Sequence, residues 1–174
     1  MDEVAGLVPN GATVVGDGMT LMGVADELLE CVESSFLATG APRDLTYVQA
    51  AGQSNRELGA SRLAHKGLVK RVVGSHWGLT PKLGELLGAD EAECVCLPQG
   101  QLSTLYRTIA AGRPGQLSTV GLGTFVDPRV DGGRFNASAK TNIPVDEYVD
   151  VVELDGQEYL RYKPCLLYTS PSPR

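Results

Sequence analysis

The chain has 174 residues, 43% of them hydrophobic and 21% charged, which fits one α/β domain able to bury a core of its own. Its net charge of −6 and isoelectric point near 4.9 argue against nucleic acid as a partner, because phosphate binding draws on a basic surface. No basic stretch followed by an apolar one opens the chain, and no apolar run approaches ~18 residues, so no export signal, no membrane span and a cytoplasmic location are expected.

In chain order, Asp2 to Val8 reads as a short helix stopped by Pro9-Asn10-Gly11. Ala12 to Val15 is a short apolar run, hence a buried strand, ending in Gly16-Asp17-Gly18. Val24, Leu28, Leu29, Val32 and Phe36 fall on one face of a helix that Gly40 can cap. Leu45 to Ala50 is the second strand, followed by a polar loop to Gly59 and a helix that Ser61 can cap, carrying Leu63 and Ala64. Val69, Val72 and Val73 mark the third strand, which runs into Gly74-Ser75-His76-Trp77-Gly78. Thr80-Pro81 is an N-cap with proline at the first helical position, and Leu83, Leu86 and Leu87 form the buried stripe.

Cys94 to Leu97 is the fourth strand, ending at Pro98-Gln99-Gly100, and the next helix buries Leu102, Leu105 and Ile109 before Gly112. Leu117 to Val120 is a fifth strand meeting Gly121-Leu122-Gly123, and the segment on to Thr141 reads as irregular. Tyr148 to Leu154 and Glu158 to Tyr162 flank Asp155-Gly156, a hairpin signal. Alternating strands and helices predict an open, mostly parallel α/β sheet with crossover helices, the hairpin adding a mixed edge or a small β appendage. Residues 165–174, Cys-Leu-Leu-Tyr-Thr-Ser-Pro-Ser-Pro-Arg, contain no acid and alternate Ser with Pro. They read as a non-native tail of the kind left by run-on into a sequencing adapter, a native disordered tail being the alternative, so the domain is expected over 1–164.

In such a sheet the ligand site lies beyond the carboxyl ends of the strands. Those ends are rich in glycine: Gly16 and Gly18, Gly52, Gly74 and Gly78, Gly100, Gly121 and Gly123. Each glycine alone is turn punctuation. Together, on one edge, they point to an anionic ligand or a developing oxyanion met by backbone N–H groups. Asp17 either orients a ligand or makes an Asx turn, and His76 is either a satisfied loop histidine or a base. The cluster Arg62, His65, Lys66, Lys70 and Arg71 reads as a solvated face, and Trp77 as core. Cys31, Cys94, Cys96 and Cys165 make no Cys-x-x-Cys pair and read as reduced thiols. No P-loop or nucleophile elbow is present, Gly121-x-Gly123 makes only a weak nicotinamide fingerprint because Val126 replaces its third glycine, and no metal site is expected.

The runs Pro42 to Gln53 and Leu63 to Leu79, the turn Leu97-Pro98-Gln99-Gly100, Gly112 to Gly115, Gly121 to Arg129 and Val151 to Gly156 resemble the N-terminal portion of coenzyme A transferases of the acetate/propionate and 3-oxoacid type. The resemblance covers residues 1 to 164. It departs at Gly16-Asp17-Gly18-Met19, where that family carries Gly-Gly-Phe, at Ala25 in place of a proline, and at Gln49 in place of a histidine.

The resemblance implies exchange of CoA between a short-chain acyl-CoA and a carboxylate by a ping-pong route through a glutamyl-CoA thioester. The nucleophilic glutamate would lie outside this chain, in a missing C-terminal half or a second subunit, making this an inactive N-terminal part of an enzyme that is homo-oligomeric when complete. By the same resemblance Gln99 is the catalytic residue, holding the reacting carbonyl oxygen, and Gly16, Gly18, Gly100, Gly121, Gly123 and His76 contact substrate or CoA. No permanently bound cofactor is expected; the CoA thioester is a substrate. The other reading, from the same fold, is a domain that binds or senses a phosphorylated metabolite without catalysis.

Overall fold

Four short strands pair in chain order into a parallel sheet: β1 (Thr13–Gly16), β2 (Leu45–Gln49), β3 (Val69–Gly74) and β4 (Glu93–Cys96). They belong to a computed structural model that describes residues 6–164. Val, Leu and Tyr dominate these runs because β-branched and aromatic side chains fit a pleated, buried surface. Right-handed crossovers between neighbours taken in order put every connection on the same face of the sheet. That face carries α1 (Asp26–Thr39), a 3-10 turn (Gly59–Leu63) and α2 (Pro81–Gly88).

Strand periodicity then divides the core in two. Tyr47, Val72 and Cys94 face the crossovers and pack with Val32, Leu63, Leu83 and Leu87. Val48, Val73 and Val95 face the other way, toward Leu102, Leu105 and Ile109 of α3 (Gln99–Ala110). A second, antiparallel sheet of β5 (Gln116–Ser118), β7 (Gln157–Tyr162) and β6 (Val149–Leu154) covers this face with Val149, Leu160 and Tyr162. Asp155 and Gly156 both take positive φ, 52° and 78°, as a two-residue hairpin demands. Gly40 closes α1 in the left-handed conformation, φ 76°.

Several expectations need correction. The fifth strand does not extend the parallel sheet: α3 carries the chain to the opposite face, where β7 offers an edge that β5 joins antiparallel. Ser61 does not cap a helix. It lies inside the 3-10 turn with its hydroxyl 2.9 Å from that of Ser54, while Asp26 accepts the Gly59 N–H at 2.6 Å. Thr80 holds the N-cap position of α2, but its hydroxyl donates to Trp77 O at 3.4 Å rather than capping the helix.

The segment before Thr141 is also more ordered than expected, because α4 (Ala137–Asn142) begins there with Asn136 as its N-cap. The Asn136 Oδ1 accepts from Ala139 N and Cys94 N, and its Nδ2 donates to Leu87 O and Ala92 O. The helix expected from Asp2 lies largely outside the described residues, and 6–8 form a turn. The tail at 165–174 lies outside them altogether.

Candidate functional site

Parallel pairing brings the carboxyl ends of β1 to β4 into one row, Gly16 beside Gln49 and Gly74 beside Cys96. The loops beyond them are tied to one another. Thr20 N donates to Gly52 O at 2.8 Å, the Ser75 hydroxyl donates to Ala50 O at 2.7 Å, and Leu97 N donates to Gly74 O at 2.8 Å. The Cys96 thiol adds a contact to Ser75 O at 3.2 Å. The edge is therefore a braced surface, with each loop holding its neighbour.

Packing requires glycine at two of its positions, Gly16 and Gly74. A Cβ at Gly16 would lie 2.0 Å from Gln53 Oε1 and 2.4 Å from the Tyr47 hydroxyl. One at Gly74 would lie 2.7 Å from the Trp77 ring and 3.1 Å from Gln49 Cγ. Gly18, at φ 114°, has its N–H taken by Asp17 Oδ1 at 2.8 Å, so Asp17 turns back on its own loop. His76 is exposed, its Nε2 lying over Gly52 and its Nδ1 3.3 Å from the Ser75 hydroxyl.

Gln99 is exposed at the first position of α3, with Pro98 as N-cap residue. Gly100 therefore sits in the first turn of a helix rather than in a loop. Gly121 and Gly123 are placed elsewhere. They follow β5 in the second sheet, where a Cβ on Gly121 would meet the Tyr162 hydroxyl at 2.8 Å and the Gly123 N–H is held by Asp127 at 2.9 Å. The edge thus gathers Gly16, Gly18, Gly52, Gly74, His76, Gln99 and Gly100, while Gly121 and Gly123 open a loop that returns to the end of β4, where Cys96 N donates to Gly133 O at 2.7 Å.

What the residue pattern did not announce is a set of buried amides. Gln49 closes β2 with no exposure, and neither its Nε2 nor its Oε1 has a hydrogen-bonding partner among the described residues. Gln53 is equally enclosed; its Oε1 accepts the Tyr47 hydroxyl at 2.5 Å while its Nε2 stays unmatched. An amide buried without partners costs roughly 1–3 kcal/mol, so such groups are normally met by a bound molecule, water or further protein. Burial, with the charge of Asp17 nearby, pushes the Tyr106 hydroxyl up to about 12, so it stays protonated at neutral pH. Burial likewise raises Tyr47 above the ordinary tyrosine value. The edge offers neutral hydrogen-bonding groups rather than cations.

The basic cluster lies apart from this row, and four of its five members meet carboxylates. Arg62 bonds Asp26 and Glu33, His65 meets Glu33 at 2.8 Å, Lys66 meets Glu91 at 3.0 Å, and Arg71 bonds Glu93 across the β3–β4 pair. Cys31, Cys94 and Cys96 are unpaired thiols, and burial lifts Cys94 to about 12. Among the described residues no helix is long and apolar enough to cross a membrane.

Comparison with known proteins gives this edge its context. The family described as coenzyme A transferase matches residues 1–167. Over 162 residues the chain is 41% identical to the caffeate CoA-transferase of Acetobacterium woodii, covering 92% of this chain and 30% of that one. Over 164 residues it is 36% identical to the acetate CoA-transferase YdiF of Escherichia coli K12, with the same coverage of 92% and 30%. The crystal structure of the acyl-CoA transferase YdiF from E. coli O157:H7, a thioester complex with CoA, superposes with a TM-score of 0.84 at 34% identity, over 93% of this chain and 31% of that one. The chain spans about three tenths of the length of these relatives. On a match that runs through nearly all of its residues, it belongs to the coenzyme A transferase family.

Proposed function

We propose that this chain forms one wall of the site at which a larger enzyme moves coenzyme A between a short-chain acyl-CoA and a carboxylate acceptor. The observation that carries the reading is the group of amides at the sheet edge: Gln49 and the Gln53 Nε2 buried without partners, and Gln99 exposed to solvent at the start of α3. Neutral amide donors suit a thioester carbonyl, whose oxygen is uncharged in the ground state and becomes negative as the bond is attacked. A site for a phosphorylated metabolite would place cations there. The cations of Arg62, Lys66 and Arg71 are instead spent on carboxylates.

In the proposed reaction a glutamate carboxylate, supplied by protein outside this chain, attacks the thioester carbonyl carbon. The C–S bond breaks and CoA leaves as the thiolate, giving a mixed anhydride. The thiolate then attacks the glutamyl carbonyl of the anhydride. This releases the first acid as its carboxylate and leaves a glutamyl-CoA thioester, which the acceptor carboxylate takes back through the same steps in reverse. Gln99, through its side-chain N–H, stabilises the oxyanion at each addition, and Gly16, Gly18, Gly100 and His76 line the approach of substrate. Gly121 and Gly123, on the loop after β5, are proposed to contact substrate or CoA from the side of the second sheet. The partner is the remaining portion of the enzyme, fused or as a separate subunit.

The test uses Gln49→Met, which keeps the side chain's length and removes its polar atoms. In the chain alone it should raise stability by about 1–3 kcal/mol, since an unmatched buried amide disappears. In a chimera joining this chain to the complementary portion of the A. woodii relative, the same change should lower turnover. A variant that leaves turnover intact would show the amide to be a packing flaw and not part of the site.

A further inference from the structure

Residues 119–133 form neither helix nor strand, yet one side chain organises them. Asp127 has no exposed surface, and its carboxylate accepts from Gly123 N at 2.9 Å, from Arg129 N and Nε at 2.9 Å each, and from Arg129 Nη2 at 2.7 Å. Its backbone oxygen accepts from Val130, Asp131 and Gly132 N. Arg129 reaches on to Glu158 of β7 at 2.9 Å, which ties the loop to the second sheet. The far end of the loop is fixed to the strand row. Gly133 N donates to Phe125 O at 2.9 Å, Cys96 N to Gly133 O at 2.7 Å, and Phe135 N to Cys94 O at 2.8 Å. There Phe125 and Cys96 line one cavity of about 460 Å³, with Phe135 and Arg134 among its other walls.

We infer that Asp127 is a positioning residue of the transfer reaction: it holds the turn from Gly121 to Phe125 so that the Phe125 ring stands as the wall, beside Cys96, against which acyl-CoA binds. The substrate in this inference rests on the transferase reading; the loop and its cavity rest on geometry. Burying a carboxylate is unfavourable unless its oxygens are well bonded, and packed apolar side chains often stabilise a fold as well as a buried ion pair does. What the charge adds here is one loop shape. Its two oxygens reach back to Gly123 and forward to Arg129, and Phe125 lies between the two. Phe125 is 43% exposed, a large apolar ring kept at the surface on the side of the cavity. Such a ring is contact surface rather than core. Asp127, being fully buried, reaches the substrate only through it.

The experiment uses the chimera of this chain with the complementary portion of the A. woodii relative. Calorimetry follows binding of an acetyl-CoA analogue in which a methylene replaces the thioester sulfur, and turnover is measured separately. Asp127→Asn should weaken the analogue about tenfold and raise KM for acetyl-CoA with kcat nearly unchanged. Phe125→Ala, at an exposed position, should weaken it about tenfold with an unchanged melting curve. The double variant should lose no more than about tenfold, since both changes remove the same contact. Val32→Ala, in the core on the crossover face, should lower stability and bind the analogue as the parent does. If Asp127→Asn does not fold, Arg129→Gln replaces it at a half-exposed position, with a weakening of about threefold expected. Variants at 127 or 129 that melt earlier but bind and turn over like the parent would overturn the inference, as would a loss of about a hundredfold in the double variant. A chimera that binds the analogue but transfers no CoA would sink the transferase reading, and the binding series would still decide the role of Asp127. One that binds no analogue would overturn the inference itself.

Discussion

Gly16→Ala tests how the edge is built. The new Cβ would sit 2.0 Å from Gln53 Oε1 and 2.4 Å from the Tyr47 hydroxyl, both in fully buried side chains. Overpacking of this kind costs about 1–3 kcal/mol, and displacing the Tyr47–Gln53 hydrogen bond leaves a buried hydroxyl unmatched for roughly 1–3 kcal/mol more. The sum, about 2–6 kcal/mol, corresponds to a fall in melting temperature of roughly 4–24 °C for a chain of this size. Gln53→Ala alone should cost only the hydrogen-bond part. The double variant should be less damaged than the sum of the two by about 0.5–3 kcal/mol, because removing the Gln53 side chain clears the space that the alanine needs. Circular dichroism melts of the four proteins measure this coupling. Additive losses would refute the claim that Gly16 is glycine because of Gln53.

The remaining predictions concern the second sheet, its helix and the exposed amide. Asn136→Ala removes a side chain that caps α4 and ties it to β4 and to the end of α2, so stability should drop by about 2–4 kcal/mol in a denaturant titration. Hydrogen bonds from Arg129, with help from the Gly123 N–H, hold the Asp127 carboxyl well below the usual carboxylate range. A depressed folded-state pKa means that its stabilisation is present above the unfolded value of about 4 and is lost as pH falls through the folded one. Asp127→Asn should therefore flatten the acid limb of a stability–pH profile while lowering stability at pH 7. In the chimera, Gln99→Ala should reduce kcat by ~100- to 1,000-fold with KM for acyl-CoA nearly unchanged, and Gln99→Glu should be at least as harmful. A melting shift with unchanged kcat would assign Gln99 to bracing its helix instead.

Much of the fold was legible because local pattern and tertiary structure agree. Val69, Val72 and Val73 make a strand in any context that buries them, and the stripe through Leu29, Val32 and Phe36 makes a helix face. What escaped depends on distant partners. β5 pairs with β7 across a long separation, so its sheet could not be read from residues 116–118. The six residues of α4 carry no apolar stripe and are fixed by Asn136 reaching three other segments. Gly100 reads as a turn beside Pro98, yet proline's extended backbone serves here as the entry to α3.

The candidate site divides in the same way. Parallel strands in order predict which glycine turns share an edge, whereas Gly121 and Gly123 follow β5, whose place in a second sheet local pattern does not give. The resemblance pointed to Gln49 only as a departure from a family pattern. Its empty hydrogen-bonding capacity, like the Tyr47–Gln53 pair, arises where a strand end meets a loop in space, and no spacing of residues encodes it.

The central claim is that this chain supplies one wall of a CoA-transfer site while the nucleophile comes from elsewhere. The direct measurement is propionyl-CoA formed from acetyl-CoA and propionate, followed by chromatography, for the chain alone and for the chimera with the complementary portion of the A. woodii relative. The account predicts no turnover above the buffer control for the chain and ~1 per second or more for the chimera. Turnover by the chain alone, or a soluble, cooperatively melting chimera that forms no propionyl-CoA, would contradict it.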